Sequence, residues 1–158
     1  MNLDLRTTHK TDLPFVFQTE QNASKDGFVN LQKIVEHEKF LSDEDIRHLI
    51  IEVKRKPVGY IVLAGLKDEN ENIELKRIVV SEKGKGYGRK AVQIVKKLAF
   101  DELNAHRLWL DVYDFNERAR KLYESEGFKI EGVWREAVKD ENKRKSLVFM
   151  SILRSEYK

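Results

Sequence analysis

Apolar residues in this chain fall into short runs with two periods. Residues 3–8 read as a first strand, and 12–21 as a helix. A polar break at 22–27 follows, then a helical stretch over 31–40. Ser42-Asp43-Glu44-Asp45 resembles a helix start with acidic residues in its first turn. Residues 49–53 and 58–66 are strands joined by a basic link at 54–57, and 67–72 form a polar turn. The β-branched run 73–80 is the next strand. After it, Ala91, Ile94, Val95 and Leu98 repeat at i, i+3, i+4 and i+7, one face of an amphipathic helix. Residues 108–113 are a strand, a short helix opens at Asn116, and 128–134 and 146–153 are the last strands. The predicted order is β-α-α-β-β-β-α-β-α-β-β. Consecutive strands joined by short links pair antiparallel, whereas a strand–helix–strand unit needs a crossover. The class is therefore α/β with a mixed, mostly antiparallel sheet flanked by helices. No Pro- or Gly-rich linker interrupts it, so 1–158 reads as one domain.

The junction between strand 73–80 and the following helix carries chemistry. Gly84, Gly86 and Gly88 lie in it, with Lys83, Lys85, Arg89 and Lys90 around them. A glycine-rich turn opening a helix aims unpaired amides and the positive end of the helix dipole at one point, which suits a phosphate-type anion. A Walker A loop would need a Ser or Thr after Gly-Lys, and none follows here. A Rossmann loop would read Gly-x-Gly-x-x-Gly near the start of a βαβ unit. Here the spacing is Gly-x-Gly-x-Gly and lies past the midpoint of the chain.

Lys83-Gly84-Lys85-Gly86-Tyr87-Gly88 instead resembles the Arg/Gln-x-x-Gly-x-Gly/Ala loop of the GNAT superfamily of N-acetyltransferases, with Lys83 where Arg or Gln is usual. A second segment carries the same resemblance. Asn116-Glu-Arg-Ala-Arg-Lys-Leu-Tyr-Glu-Ser-Glu-Gly-Phe128 is similar to the superfamily's Asn-x-x-Ala-x-x-Leu-Tyr-x-x-x-Gly-Phe. On its own terms this segment is a helix, with Asn116 as N-cap and Gly127 as a left-handed stop. Asn116 and Tyr123 share a face roughly 10 Å apart along the axis. The resemblance spans about residues 57–153.

The resemblance implies the acetyltransferase fold and acetyl-coenzyme A as cosubstrate. The pyrophosphate would lie on Lys83, Gly84, Lys85, Gly86, Tyr87, Gly88 and Arg89. The pantetheine arm would borrow the edge amides of Ile78, Val79 and Val80, in a V between the strand before the loop and the one after the helix. A bulge near Lys76 and Arg77 is expected to cause that splay. Asn116, Arg118 and Ala119 would flank the arm. Tyr123 would protonate the leaving thiolate, and Glu74 is a candidate base, directly or through a water chain. Gly127-Phe-Lys-Ile-Glu-Gly-Val-Trp-Arg-Glu136 further resembles the branch holding ribosomal-protein N-terminal acetyltransferases and spermidine acetyltransferases. The acceptor is left open among a polyamine, an amino sugar, an antibiotic and a protein N-terminus. The rival reading is a non-catalytic acyl-coenzyme A sensor or interaction module on the same fold.

Composition narrows the partners. Lys plus Arg number 30 against 27 for Asp plus Glu, and a net charge of +3 gives no argument for nucleic acid. With no Cys, disulfides, thiolate metal sites and a Cys nucleophile are excluded. No export signal or membrane-length apolar run is evident, so the expected setting is the cytoplasm, with no membrane partner. Oligomeric state is open, a homodimer included. His9, His37, His48 and His106 share no metal-ligand spacing, so no metal is expected; they read as surface or strand-end residues. Trp109 and Trp134 read as core or cleft-wall residues. The acidic group Glu36, Glu38, Asp43, Glu44 and Asp45 is assigned to the N-terminal helices, as a solvated face or a lure for a cationic acceptor.

Overall fold

A computed structural model describes residues 2–29 and 34–157. Strand β1 (Leu3–Thr7) leads through a 3₁₀ turn at Lys10–Asp12 into helix α1 (Leu13–Ser24), and helix α2 (Ile34–Ser42) follows. Strands β2 (Ile46–Val53), β3 (Lys56–Ala64) and β4 (Asn72–Val80) come next. Helix α3 (Tyr87–Lys97) continues into a π-helical turn at Leu98–Glu102. Strand β5 (Arg107–Tyr113), helix α4 (Glu117–Ser125), and strands β6 (Lys129–Asp140) and β7 (Lys143–Leu153) complete the order. The expected sequence of elements is thus present, although residues 31–33 of the helix expected at 31–40 lie outside the described residues.

The strands form one seven-stranded sheet in the order β1-β2-β3-β4-β5-β7-β6. All neighbours are antiparallel except β4 and β5. Leu108, Leu110 and Val112 of β5 alternate onto the face that meets Ala91, Val92 and Val95 of α3, and all are buried there. On the opposite face, Val16 of α1 packs on Ile50, Tyr60, Val62 and Val79. Strands β2 and β3 are therefore covered on both faces, which is why they read as continuous apolar runs.

Two features of β4 shape the rest. Opposite β3 the register shifts, from Val62 facing Arg77 to Leu63 facing Leu75, which leaves Lys76 as the extra residue of a bulge. Opposite β5 the pairing covers only Asn72, Ile73 and Glu74, against Arg107, Leu108 and Trp109. Beyond that the parallel strands part, and the sheet opens into a V.

Three expectations are corrected. Ser42 ends α2, and residues 43–45 are a turn into β2 rather than a helix start. The Asp45 carboxylate accepts from the amides of Gly65 and Lys67, so this acidic residue holds a turn together. Thus, of the acidic group, only Glu36 and Glu38 are helical. The last hairpin runs further than expected, with Asp140 paired to Lys143 across a tight turn. Finally, Trp109 is half-buried and stacked on Phe149, and Trp134 is 61% exposed and tilted against the same ring, so neither is core and neither lines the main cleft.

Candidate active site

The V opens into a cleft of about 840 Å³, within the range of a cofactor-sized site. One wall is β4, with Ile78, Val79 and Val80. Its floor is the loop into α3, with Lys83, Gly84, Gly86, Tyr87, Gly88 and Arg89. The other wall is β5 and α4, with Asp111, Asn116, Arg118, Ala119 and Tyr123. Two residues singled out from the sequence are not in the lining. Lys85 is exposed and ion-paired with Glu82, and Glu74 is half-buried at the last rung where β4 still pairs with β5.

The loop has the shape an anion needs. Gly86 caps α3 with φ +78°, a left-handed conformation that costs other residues about 1 kcal/mol or more. The first helical bond runs from the Lys90 amide to the Gly86 carbonyl at 3.1 Å, so the amides of Tyr87, Gly88 and Arg89 precede the ladder. A Cβ built on Gly84 would meet nothing within 4 Å, and one on Gly88 only Leu122 at 3.8 Å. The bare backbone therefore faces open space that a ligand can occupy. Lys83 reaches Asp26 at 2.7 Å and lies over the Phe28 ring, and Arg89 bonds Ser125 and Glu126. Both cations border the cleft while neutralised by surface partners.

Asn116 caps α4, its side chain accepting from the Ala119 amide at 3.3 Å. Gly127, at φ +98°, ends the helix as its pattern predicts. Between these caps α4 presents Tyr123, buried edge-on to Phe128. Burial, and then the charge of Asp111, push its phenol up to about 12. The phenol is therefore protonated at neutral pH and has a proton to give, although the raised value makes it a weaker acid than a free tyrosine.

Sequence reasoning missed two groups. The first is Asp111, which lines the cleft two residues beyond the last β4–β5 rung. Solvent reaches it, yet the walls around it raise its carboxyl above the usual range, with Lys76 opposing. Burial likewise raises Glu74, again opposed by Lys76. The second is a buried polar chain behind β4. Glu20 is fully buried, and its Oε1 accepts from Tyr60 at 2.7 Å and from Arg77 at 2.8 Å, with His37 Nε2 at 3.2 Å. His37 Nδ1 lies 3.1 Å from His48 Nε2, and His48 Nδ1 lies 2.8 Å from Thr8 Oγ1. His37 and His48 are therefore core residues, contrary to the surface expectation, while His9 and His106 are exposed. The available signal was position: Glu20 falls four after Val16 on the buried stripe of α1, and His48 two before Ile50 on the covered face of β2. Arg77, at the near end of this chain, lines the cleft. No group of three or more metal-ligating side chains occurs among the described residues.

Comparison with known proteins agrees with this geometry. The sequence profile of the acetyltransferase (GNAT) family matches residues 4–128. Spermidine N(1)-acetyltransferase of Escherichia coli K12 is 28% identical over 141 residues, spanning 83% of this chain and 75% of that enzyme. The Vibrio cholerae enzyme of the same name is 26% identical over 166 residues, spanning 98% and 95%. A crystal structure of spermidine N-acetyltransferase from Vibrio cholerae in complex with CoA and spermine superposes with TM-score 0.87 at 25% identity, covering 98% of this chain and 97% of that one. With the splayed strands, the glycine loop and the Asn116–Phe128 segment in their expected places, the chain belongs to the GNAT acetyltransferase family and is an acetyl-coenzyme A-dependent N-acetyltransferase.

Proposed function

We propose that this enzyme acetylates a small cationic primary amine of the polyamine class, by direct attack on the thioester in a ternary complex. The observation that carries this reading is the placement of two carboxylates, Glu74 and Asp111, on the sheet face opposite the one that holds Tyr123. Glu74 pairs with Trp109, and Asp111 is two residues further along the same face, whereas Tyr123 packs with the α3-side core. An acceptor entering opposite Tyr123 meets carboxylates, which attract an ammonium. The two relatives named above are spermidine N(1)-acetyltransferases, which supports the same acceptor class.

In this reading the amides of Tyr87, Gly88 and Arg89 hold the pyrophosphate, and the free edge of β4 at Ile78, Val79 and Val80 holds the pantetheine arm. The Ile78 amide is the donor for the carbonyl oxygen as it becomes negative. Asn116, Arg118 and Ala119 border the arm, and Lys85 contributes only long-range charge. Amine nitrogen bonds to the carbonyl carbon, the carbon–sulfur bond breaks, and the Tyr123 hydroxyl gives its proton to the departing sulfur. Since an alkylammonium has a pKa near 10.4, a carboxylate of the open face must take its proton at neutral pH. Glu74 serves as the outer docking charge for the acceptor's cation. The reaction runs in the cytoplasm, where both substrates are at hand.

The test is release of free thiol from acetyl-coenzyme A with spermidine, spermine, 1,4-diaminobutane, an aminoglycoside and a short peptide. Turnover with the polyamines at the highest kcat/KM is expected. Preference for the peptide would overturn the acceptor class. A thermal shift with acetyl-coenzyme A, absent with ATP and NAD, separates cosubstrate binding from acceptor choice.

A further inference from the structure

We infer that Asp111 is the base that takes the acceptor's proton, working across the opening of the sheet from Tyr123 as its acid. The inference deepens the acetyl-transfer reading above and rests on it.

Position is the first argument. The last β4–β5 rung joins Glu74 to Trp109, so Asp111, two residues on, is the first residue of its face beyond the point of divergence. It lines the cleft, and Glu74 does not. The sulfur end of an extended arm laid along the free edge of β4 reaches the narrow end of the V, where Asp111 and Tyr123 come within electrostatic reach of one another. A general base must stand within hydrogen-bond distance of the attacking nitrogen, or one water away. Asp111 is the carboxylate placed to do so.

Surroundings are the second argument. From β4, Asp111 is faced by Glu74 and Lys76. From α4 it is faced by Tyr123, with Arg118 and Lys121 further along the cleft. Its cross-strand partner on β7 is Phe149, which is apolar, stacked on Trp109 and in tilted contact with Trp134. Asp111 is open to solvent on one side and has aromatic neighbours on the other, which limits its hydration and favours the neutral form. The direction of its shift agrees. Lys76 opposes that rise and favours the ionised form that can accept.

Protons balance. The bound alkylammonium sheds two protons: Asp111 takes the first before attack and passes it through water to solvent, and as the carbon–nitrogen bond forms it takes the second from nitrogen. As the carbon–sulfur bond breaks, Tyr123 loses one to sulfur. The carboxylic acid then returns its proton to the phenolate through water, so both groups are reset with no net proton taken from the protein.

The experiment compares wild type, Asp111→Asn and Glu74→Gln by thiol release with the best polyamine acceptor, from pH 6 to pH 10. Asp111→Asn is expected to lose roughly 100-fold or more in kcat at pH 7. The deficit should shrink toward pH 10, where the free amine needs no base. Its acetyl-coenzyme A dissociation constant and melting temperature should stay near wild type. Glu74→Gln should instead raise the KM of the amine several-fold with kcat within about threefold. A deficit in Asp111→Asn that is equal at every pH, or confined to the KM of the amine, overturns the base assignment. So does a full pH-dependent loss in Glu74→Gln alone. If Asp111→Asn fails to fold, Asp111→Glu replaces it, with partial kcat and an unchanged pH profile expected; an undiminished rate would overturn the assignment. If wild type itself releases no thiol with any amine, it is the acceptor reading that has failed.

Discussion

The two halves of the sheet are built differently. Strands β1 to β4 lie between α1 and α2 on one face and α3 on the other, and side chains in the middle of β2 and β3 are buried on both faces. Strands β5 and β7 bury mainly one face, and β6 is largely exposed. Leu108, Leu110, Val112, Val148, Met150 and Ile152 face the core, while Trp109, Asp111, Phe149 and Trp134 occupy the other face. The polar groups differ accordingly. The first half seals a carboxylate, two imidazoles, a phenol and a guanidinium into one bonded chain, and the second leaves its carboxylates toward solvent. One half is thus a frame, the other a working face, and the V lies at their junction.

Breaking the frame should have the largest effect. Glu20→Ala leaves the Arg77 guanidinium without its buried counter-charge, and is expected to cost about 3–5 kcal/mol of stability, measured by denaturant unfolding. An unchanged midpoint would show that Glu20 does not hold the frame. The frame should also fail with acid. Burial, and then the charge of His37, hold His48 down at about 4, against an ordinary 6.5, so the folded state favours neutral His48. Between those two values the unfolded chain binds more protons. Stability is therefore fully present above about pH 6.5 and falls as pH drops toward 4, by up to about 3 kcal/mol. Removal of the imidazole in His48→Gln should flatten that slope.

The working face should respond in rate rather than in stability. Tyr123→Phe is expected to lower kcat about 100-fold with acetyl-coenzyme A affinity within about twofold, by stopped-flow and calorimetry. Equal turnover would remove Tyr123 as the acid. At the junction, Gly86→Asp places a Cβ at φ +78° and a negative charge on an anion site. A loss of about tenfold or more in acetyl-coenzyme A affinity is expected. Smallest of all, Trp134→Ala removes an exposed ring tilted against Phe149 at 4.5 Å and should change stability by about 1 kcal/mol or less.

The sequence was most legible where local rules act alone. Gly86, Asn116 and Gly127 behave as their backbone preferences predict, and the apolar stripe of α3 is buried as its spacing requires. The bulge at Lys76 was reached only through the family resemblance, which implies a splay that no local pattern shows. Two kinds of residue were not legible. Asp111 alternates with Leu110 and Val112 as any outward strand carboxylate would; only its register beyond the final β4–β5 rung gives it meaning. Glu20, His37 and His48 come from three separate elements, and a polar residue on a buried stripe looks like an exception until its partners are in place. The segment 43–45 misled for a related reason. Acidic residues suit a helix start, but Asp45 is recruited by amides twenty or more residues away.

The imidazole pair has one further consequence. Glu20 Oε1 requires an N–H from His37 Nε2, so in the neutral chain His37 Nδ1 must accept, His48 Nε2 must donate, and His48 Nδ1 must accept from the Thr8 hydroxyl. A single added proton at His37 reverses every later link: His48 switches tautomer and the Thr8 hydroxyl turns about. The end of β1 thereby registers the charge of a helix on the far side of the chain, and the nitrogen resonances of His48 would report it directly.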